Sequence, residues 1–471
     1  MLKDYIKNVL FSNLGFSPTD GQKILIDHLT EMMASQPTDR QLMLIKGYAG
    51  TGKTSIVSAF VQTLNVFKIR SVLMAPTGRA AKVLSGYSGV QAFTIHKKIY
   101  RQKSATESFG AFTLNFNTYN NTFFVVDEAS MISHYSADRS VFGTGNLLDD
   151  LMSFVYNDRN CRLVLLGDTA QLPPVGQQES PALDRRRLES YGLKVFECEL
   201  TEVVRQSQES GILYHATTVR EQITKQQNGY PSLQTNFRDV ERITGENLIE
   251  TITDAYDRYG IDETAIICRS NKQANRYNQG IRNRILYREE ELTPNDYLMV
   301  VRNNYHWIRD TEKISFIANG DIVRVMRIRK YTERYGFRFA EVDLCLPDYD
   351  HHEFTAIIML ETLSSEAASI TEEQNIRLYH SVAEDYAHIT PKAQQYKQIR
   401  EDPFFNALQV KFAYAVTCHK AQGGQWQCVF LDQGWLKDEM LDTEYLRWLY
   451  TAMTRATEKL YLVNFSKNFF G

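Results

Sequence analysis

No apolar run in the 471-residue sequence approaches the roughly 18–20 residues needed to cross a bilayer, so no membrane span is expected. The amino-terminal stretch MLKDYIKNVLFSNLGF is amphipathic and interrupted by Asp4, Lys7 and Asn8, and does not read as a secretory signal. The six cysteines are scattered and form no C-x-x-C pair. That argues against a disulfide framework or a zinc ribbon, and reads as buried thiols of a reduced, cytoplasmic protein. A net charge of −3 supplies no global basic field, so any nucleic acid would have to be held by a local groove. Internal repeats, low-complexity tracts and a nuclease-like cluster of carboxylates are also lacking.

What is present begins with GYAGTGKTS, residues 47–55, in which Gly47, Gly52, Lys53 and Thr54 fit the phosphate-binding loop G-x-x-x-x-G-K-[ST]. The run QLMLIKG before it reads as a buried strand, and Ile56, Val57, Phe60 and Leu64 after it are spaced like a helix face. Glycines, Gly50 among them, let backbone N–H groups approach phosphate oxygens, and the helix N-terminus adds partial positive charge. Lys53 then suits the β- and γ-phosphates, and the Thr54 hydroxyl suits Mg²⁺.

The length implies more than one core. Strand-like runs at 71–78, 122–130 and 161–168 alternate with helical stretches, the pattern of a parallel sheet wrapped by helices. A second set at 264–271, 408–423, 426–433 and 460–465 predicts another such sheet. Residues 291–405 differ: alternating segments around 315–346 suggest a small β module, and a helical stretch follows that is cut by Pro391. Alternation at Ile99, Arg101 and Lys103, and again at Phe112, Leu114 and Phe116, predicts a projecting β-hairpin over 97–120.

Ligands in parallel sheets sit at the carboxyl ends of strands. Asp127 and Glu128 end the run FFVV, which suits one carboxylate for Mg²⁺ through water and one for the attacking water. In LLGDTAQLPPVG, Gln171 is placed to reach a γ-phosphate or its water. Arg205 and Arg455 follow and head apolar segments in the later part of the chain, where each could lean across a domain cleft as an arginine finger.

The order of these segments resembles superfamily 1 helicases of the RecD/Dda-type, 5′→3′ group. SPTDGQ is similar to the adenine-reading segment, GYAGTGKT to motif I, APTGRAA to Ia, AFTIHKK to Ib and VVDEASMI to II. LLGDTAQLPPVG is similar to motif III, LTEVVRQ to IV, VTCHKAQGGQW to V and LYTAMTRA to VI, while CRSNKQANRYN resembles the opening of the second motor domain. The resemblance implies an α/β fold of two RecA-like motor domains, at 1–200 and at 201–290 with 406–471. The hairpin would be a strand-separating pin in the first, and 291–405 an SH3-like and helical insertion in the second. It implies ATP and Mg²⁺ in the cleft, with Gln22 at the adenine, Gly47, Gly50, Gly52, Lys53, Thr54, Asp127 and Gly424 at the nucleotide, and Thr54 and Asp127 at the metal. Lys53, Glu128, Gln171, Arg205 and Arg455 would carry catalysis. Single-stranded DNA would contact Pro76, Thr77, Arg79, Phe93, Thr94 and His96 in the first domain and Asn271, Thr417 and His419 in the second.

These are residue types that hold phosphates, or stack bases, without reading sequence. The motif V segment departs from the family pattern at Ala421 and at Gln425–Trp426. The expected protein is a monomeric, nucleoid-associated ATP-dependent DNA helicase acting on single strands and forks, with 350–405 available to brace the pin or bind a partner. The competing readings are a protein-displacing translocase, the 3′→5′ polarity, and a non-motor P-loop protein.

Overall fold

The apolar runs read as strands assemble into two parallel sheets and a barrel. The computed structural model describes residues 2–35, 40–102, 112–133, 143–157, 159–203, 209–308, 314 and 316–470. In chain order the first part contributes β1 (Gln41–Gly47), β2 (Arg70–Ala75), β3 (Ala92–Thr94), β4 (Tyr100–Gln102), β5 (Phe112–Leu114), β6 (Thr122–Val126), β7 (Arg162–Gly167) and β8 (Lys194–Leu200). Six of these form a parallel sheet in the order β3-β2-β6-β7-β1-β8. Its central strands β6, β7 and β1 are buried almost along their whole length because both faces are covered. Leu42, Leu44, Phe124, Val126, Leu163 and Leu165 enter one core, beneath the helix Leu147–Val155. Their alternates Met43, Ile45, Phe123, Val125, Val164 and Leu166 enter another, under the helices Asp20–Ala34 and Lys53–Val66.

The rest of the chain adds β9 (Val240–Ile243), β10 (Thr264–Cys268), β11 (Tyr297–Val300), β12 (Ile322–Arg334), β13 (Phe337–Leu346), β14 (His352–Met359), β15 (Leu408–Phe412), β16 (Ala415–Thr417), β17 (Trp426–Asp432) and β18 (Ala456–Val463). The second sheet runs β16-β10-β17-β18-β9 and is also parallel. Strands β11 to β15 close a barrel.

The run 408–423, expected as one strand of the second sheet, is divided. Its first part, β15, closes the barrel against β11 and β14; only β16 joins the parallel sheet. The chain turns at Ala413–Tyr414, where the Tyr414 hydroxyl donates to Asp296 at 2.8 Å. Asp296 is fully buried and also takes ion pairs from Arg282 at 3.0 Å and Arg288 at 2.7 Å. These partners satisfy a charge that would otherwise be costly to bury.

The helical stretch breaks at Pro391 into Glu372–Asp385 and Lys392–Glu401. Leu378, Val382 and Ile399 pack on Phe337, Phe339 and Met359 of the barrel. The hairpin is shorter at its base than expected. Residues 95–99 are helical, and the pairing starts at Tyr100 opposite Leu114. The tip, 103–111, lies outside the described residues. Its base is braced by Tyr305 and Phe316, whose ring centroids lie 4.8 and 6.1 Å from that of Phe112. The described brace thus comes from the segment before β12 and not from 350–405.

Candidate functional site

The turn from β1 into the helix Lys53–Val66 requires two left-handed residues, and Gly50 (φ +75°) and Gly52 (φ +79°) supply them. A Cβ on Gly47 would come within 3.0 Å of the Lys53 side chain and of Thr51 Oγ1. Lys53 Nζ donates to the carbonyls of Gly47 at 2.6 Å and Tyr48 at 2.8 Å, so the ammonium stands in the mouth of the loop. Gln22 lies behind the loop, fully buried. Its Oε1 accepts from Thr19 N at 3.0 Å and its Nε2 donates to the Thr51 carbonyl at 2.9 Å. Gln22 is placed as an anchor of the loop, whereas Phe16, from the same amino-terminal segment, lines the cleft.

The loop opens on a cleft of about 580 Å³ lined by Lys53, Thr54, Asp127, Glu128, Gln171 and Arg455, among others. Asp127 is oriented at both oxygens: Oδ1 accepts from Glu128 N at 2.8 Å and Oδ2 from the Tyr87 hydroxyl at 2.5 Å. Glu128 has φ +53°, a conformation few non-glycine residues adopt and one that recurs at functional sites. Burial pushes its carboxyl pKa up, while the Arg455 guanidinium works against that. Asp168, at the end of β7, is likewise raised by burial and opposed by Lys53 and Tyr450.

The cleft is closed from the second sheet by the helix Thr443–Met453 and the residues just past its end. Arg447 Nη1 donates to the Gln178 carbonyl at 2.6 Å, and Thr451 Oγ1 accepts from Leu172 N at 2.8 Å. The Tyr450 hydroxyl donates to Asp168 Oδ2 at 2.6 Å and accepts from Ala49 N at 2.8 Å. Spacings of three and four put these residues on one helical face. Arg455 is buried, with Nη1 3.6 Å from Glu128 Oε1. With its amide oriented to satisfy both neighbours, Gln171 donates to Glu128 Oε2 at 3.2 Å and accepts from Arg455 Nη2 at 3.3 Å. Arg205 lies outside the described residues.

The donor set fits a magnesium nucleotide. Left-handed glycines open the loop to phosphate oxygens, a lysine stands at its mouth, and Thr54 and Asp127 in the cleft are hard oxygen donors of the kind that would hold the metal. Gly424 is placed differently from expectation. A Cβ there would meet Trp426 at 2.7 Å and Arg79 at 3.0 Å, so its bareness serves that contact, while Gly423 lines the cleft. The Gly424 carbonyl accepts from Arg455 at 3.3 Å.

The residues expected at DNA gather at matching edges of the two sheets. Thr77 follows β2 and Thr94 ends edge strand β3; Asn271 follows β10 and Thr417 ends edge strand β16. Thr77 and Thr94 each cap a helix, accepting from Ala80 N and Lys97 N at 3.2 Å. Pro76 precedes the first of these caps, and His419 lies in the short helix after Thr417. Phe93 carries Lys98 over its ring at 4.2 Å. His96 packs against Tyr100 and Phe316, and burial pushes its imidazole pKa down to about 4. Arg79 crosses to the second sheet, lying 4.0 Å over Trp426 and donating to the Gln425 carbonyl at 2.9 Å. Of the departures in the motif V segment, Gln425 and Trp426, though not Ala421, are therefore the residues on which Arg79 lands.

Sequence reasoning missed Tyr87, Tyr450, Thr451 and Gln422, whose Nε2 donates to the Leu172 carbonyl at 2.7 Å. Tyr450 and Thr451 could have been marked by their helical spacing from Arg447 and Arg455.

The AAA domain family matches residues 19–227, and the UvrD-like helicase C-terminal domain family matches residues 412–463. An uncharacterized protein of Acanthamoeba polyphaga mimivirus is 22% identical over 521 residues, covering 93% of this chain and 98% of its own length. The ATP-dependent DNA helicase dda of Enterobacteria phage T4 is 24% identical over 340 residues, covering 67% of this chain and 69% of its own. A Bacteroides Pif1 helicase structure, in complex with ADP-AlF3 and single-stranded DNA, superposes with a TM-score of 0.46 at 14% identity, covering 96% of this chain and 94% of that one. With the matched segments bounding a cleft that carries the ordered motifs, the chain is similar to superfamily 1 helicases of the RecD/Dda type.

Proposed function

We propose that the chain is an ATP-driven motor that moves 5′→3′ along single-stranded DNA and separates duplex at a fork. One observation carries this reading: Arg455, from the second motor, stands against Glu128 and Gln171 of the first, so the hydrolytic constellation is complete only when the two motors meet. Lys53 neutralises charge on the transferred phosphate. Mg²⁺, held by Thr54 and Asp127, would supply further charge neutralisation. Glu128, its pKa raised by burial, accepts the proton of the attacking water. A water–phosphorus bond forms, the bond to the β-phosphate oxygen breaks, and that oxygen leaves with the electron pair. Arg455 stabilises the charge that develops.

Closing and opening the cleft moves the paired strand-end residues of one sheet relative to those of the other, which is stepping if each set grips DNA in turn. The pairing of β4 with β5, just after Thr94 and His96 in the chain, supports a strand-separating role for this segment.

The test is unwinding of two partial duplexes, one with a 5′ tail and one with a 3′ tail, beside a Lys53→Ala control. Unwinding of the 5′-tailed substrate alone is expected. Unwinding of the 3′-tailed one alone would reverse the polarity. ATPase stimulated by single strands without unwinding would leave a translocase.

A further inference from the structure

The helix Thr443–Met453 brings more than an arginine to the first motor. Tyr450 is fully buried, its ring packed within the second motor's core beside Leu446, Leu449 and Met453. A phenylalanine would fill that space equally well. What the hydroxyl adds is a fixed distance to two separate parts of the first motor: the phosphate loop at Ala49 N (2.8 Å) and the end of β7 at Asp168 Oδ2 (2.6 Å).

These bonds belong to a closed circuit. Gln171 N donates to the Asp168 carbonyl at 3.3 Å. The Gln171 amide accepts from Arg455 at 3.3 Å. Arg455 Nε in turn donates to the carbonyl of Thr451, next to Tyr450, at 3.0 Å. A circuit of buried hydrogen bonds with one member in the phosphate loop fixes the guanidinium relative to that loop.

We infer that Tyr450 is a positioning residue that sets the stance of Arg455 over Glu128 according to where the phosphate loop stands. The inference rests on the motor reading above. It acts through a charge that matters in the transition state, so its loss falls on kcat and not on nucleotide binding.

The experiment measures kcat and KM of ATPase with saturating single-stranded DNA for wild type, Tyr450→Phe, Arg455→Ala and the double variant. Tyr450→Phe is expected to lower kcat about tenfold, the order of one hydrogen bond to a charged group, with KM within about twofold. The double variant is expected to match Arg455→Ala, because orienting an absent guanidinium gains nothing. Asp168→Asn, which alters the same circuit from the other motor, is expected to lower kcat similarly and to show no further loss with Tyr450→Phe. An unchanged kcat in Tyr450→Phe, a change in KM alone, or a further tenfold loss on top of Arg455→Ala overturns the inference while the motor reading stands. Wild-type protein whose ATPase ignores DNA overturns the motor reading and this inference with it.

Discussion

The Tyr87 hydroxyl donates to Asp127 Oδ2 at 2.5 Å, tying the helix Gly78–Ser88 to the carboxylate assigned to the metal. The same helix begins at the Thr77 cap and carries Arg79, so its two ends touch the two candidate sites. Tyr87→Phe keeps the ring and removes one of the two described hydrogen bonds that orient the carboxylate, leaving the one from Glu128 N. The Mg²⁺ concentration for half-maximal ATPase is expected to rise about tenfold, as is usual when a partner of a metal ligand is lost. A magnesium titration of turnover checks this, and an unshifted midpoint would contradict it.

Arg455→Ala removes the only described cation that the second motor places against Glu128. Turnover is expected to fall by about 10³-fold, the lower range for an arginine finger, while nucleotide affinity measured by equilibrium titration changes little. A loss confined to KM would refute the role.

Gly424→Ala is expected to push Trp426 away from Arg79, since the new methyl would sit 2.7 Å from the indole. Overpacking of this kind costs about 1–3 kcal/mol, which a lowered urea midpoint would register. Affinity for single-stranded DNA should weaken as well if Arg79 contacts the strand; fluorescence anisotropy measures that separately.

Asp321 is buried in the barrel, accepting from Ala318 N at 2.7 Å and the Tyr349 hydroxyl at 3.0 Å, and burial raises its pKa to about 7. A carboxyl whose folded pKa is raised holds its proton in the folded state where the unfolded chain has released it. Its contribution to stability therefore falls as pH rises from about 4 to about 7, then stays level. Thermal melts from pH 5 to 8 should show Asp321→Asn with a flatter profile than wild type. Parallel profiles would refute the burial effect.

The phosphate loop, the strand ends and their order were legible because each is encoded in a short window: two glycines at left-handed turns, a lysine, an apolar run ending in carboxylates. The rest depends on distance along the chain. Ala49 and Tyr450 are 401 residues apart, and no local pattern announces their bond. Gln22 was read by its neighbours in sequence, but its amide is spent on Thr51 and on the cap at Thr19. The run 408–423 is apolar on both sides of Tyr414, so periodicity could not reveal that one half serves the barrel. Gln425 and Trp426 looked like deviations from a pattern because Arg79, their partner, lies in the other motor.

The turn at Ala413–Tyr414 also decides how motion is shared. Two residues separate the last barrel strand from the strand that ends at Thr417, and the buried Asp296 network pins that turn. The barrel is thus geared to the second motor without slack, like a crank keyed to its shaft. Against the first motor its described grip includes an ion pair between a buried Asp348 side chain and an exposed Lys82, and the Tyr349 hydroxyl lying where a Cβ on Gly78 would stand. A barrel that moved with Thr417 would therefore have to part these contacts and the packing of Tyr305 and Phe316 on Phe112 together.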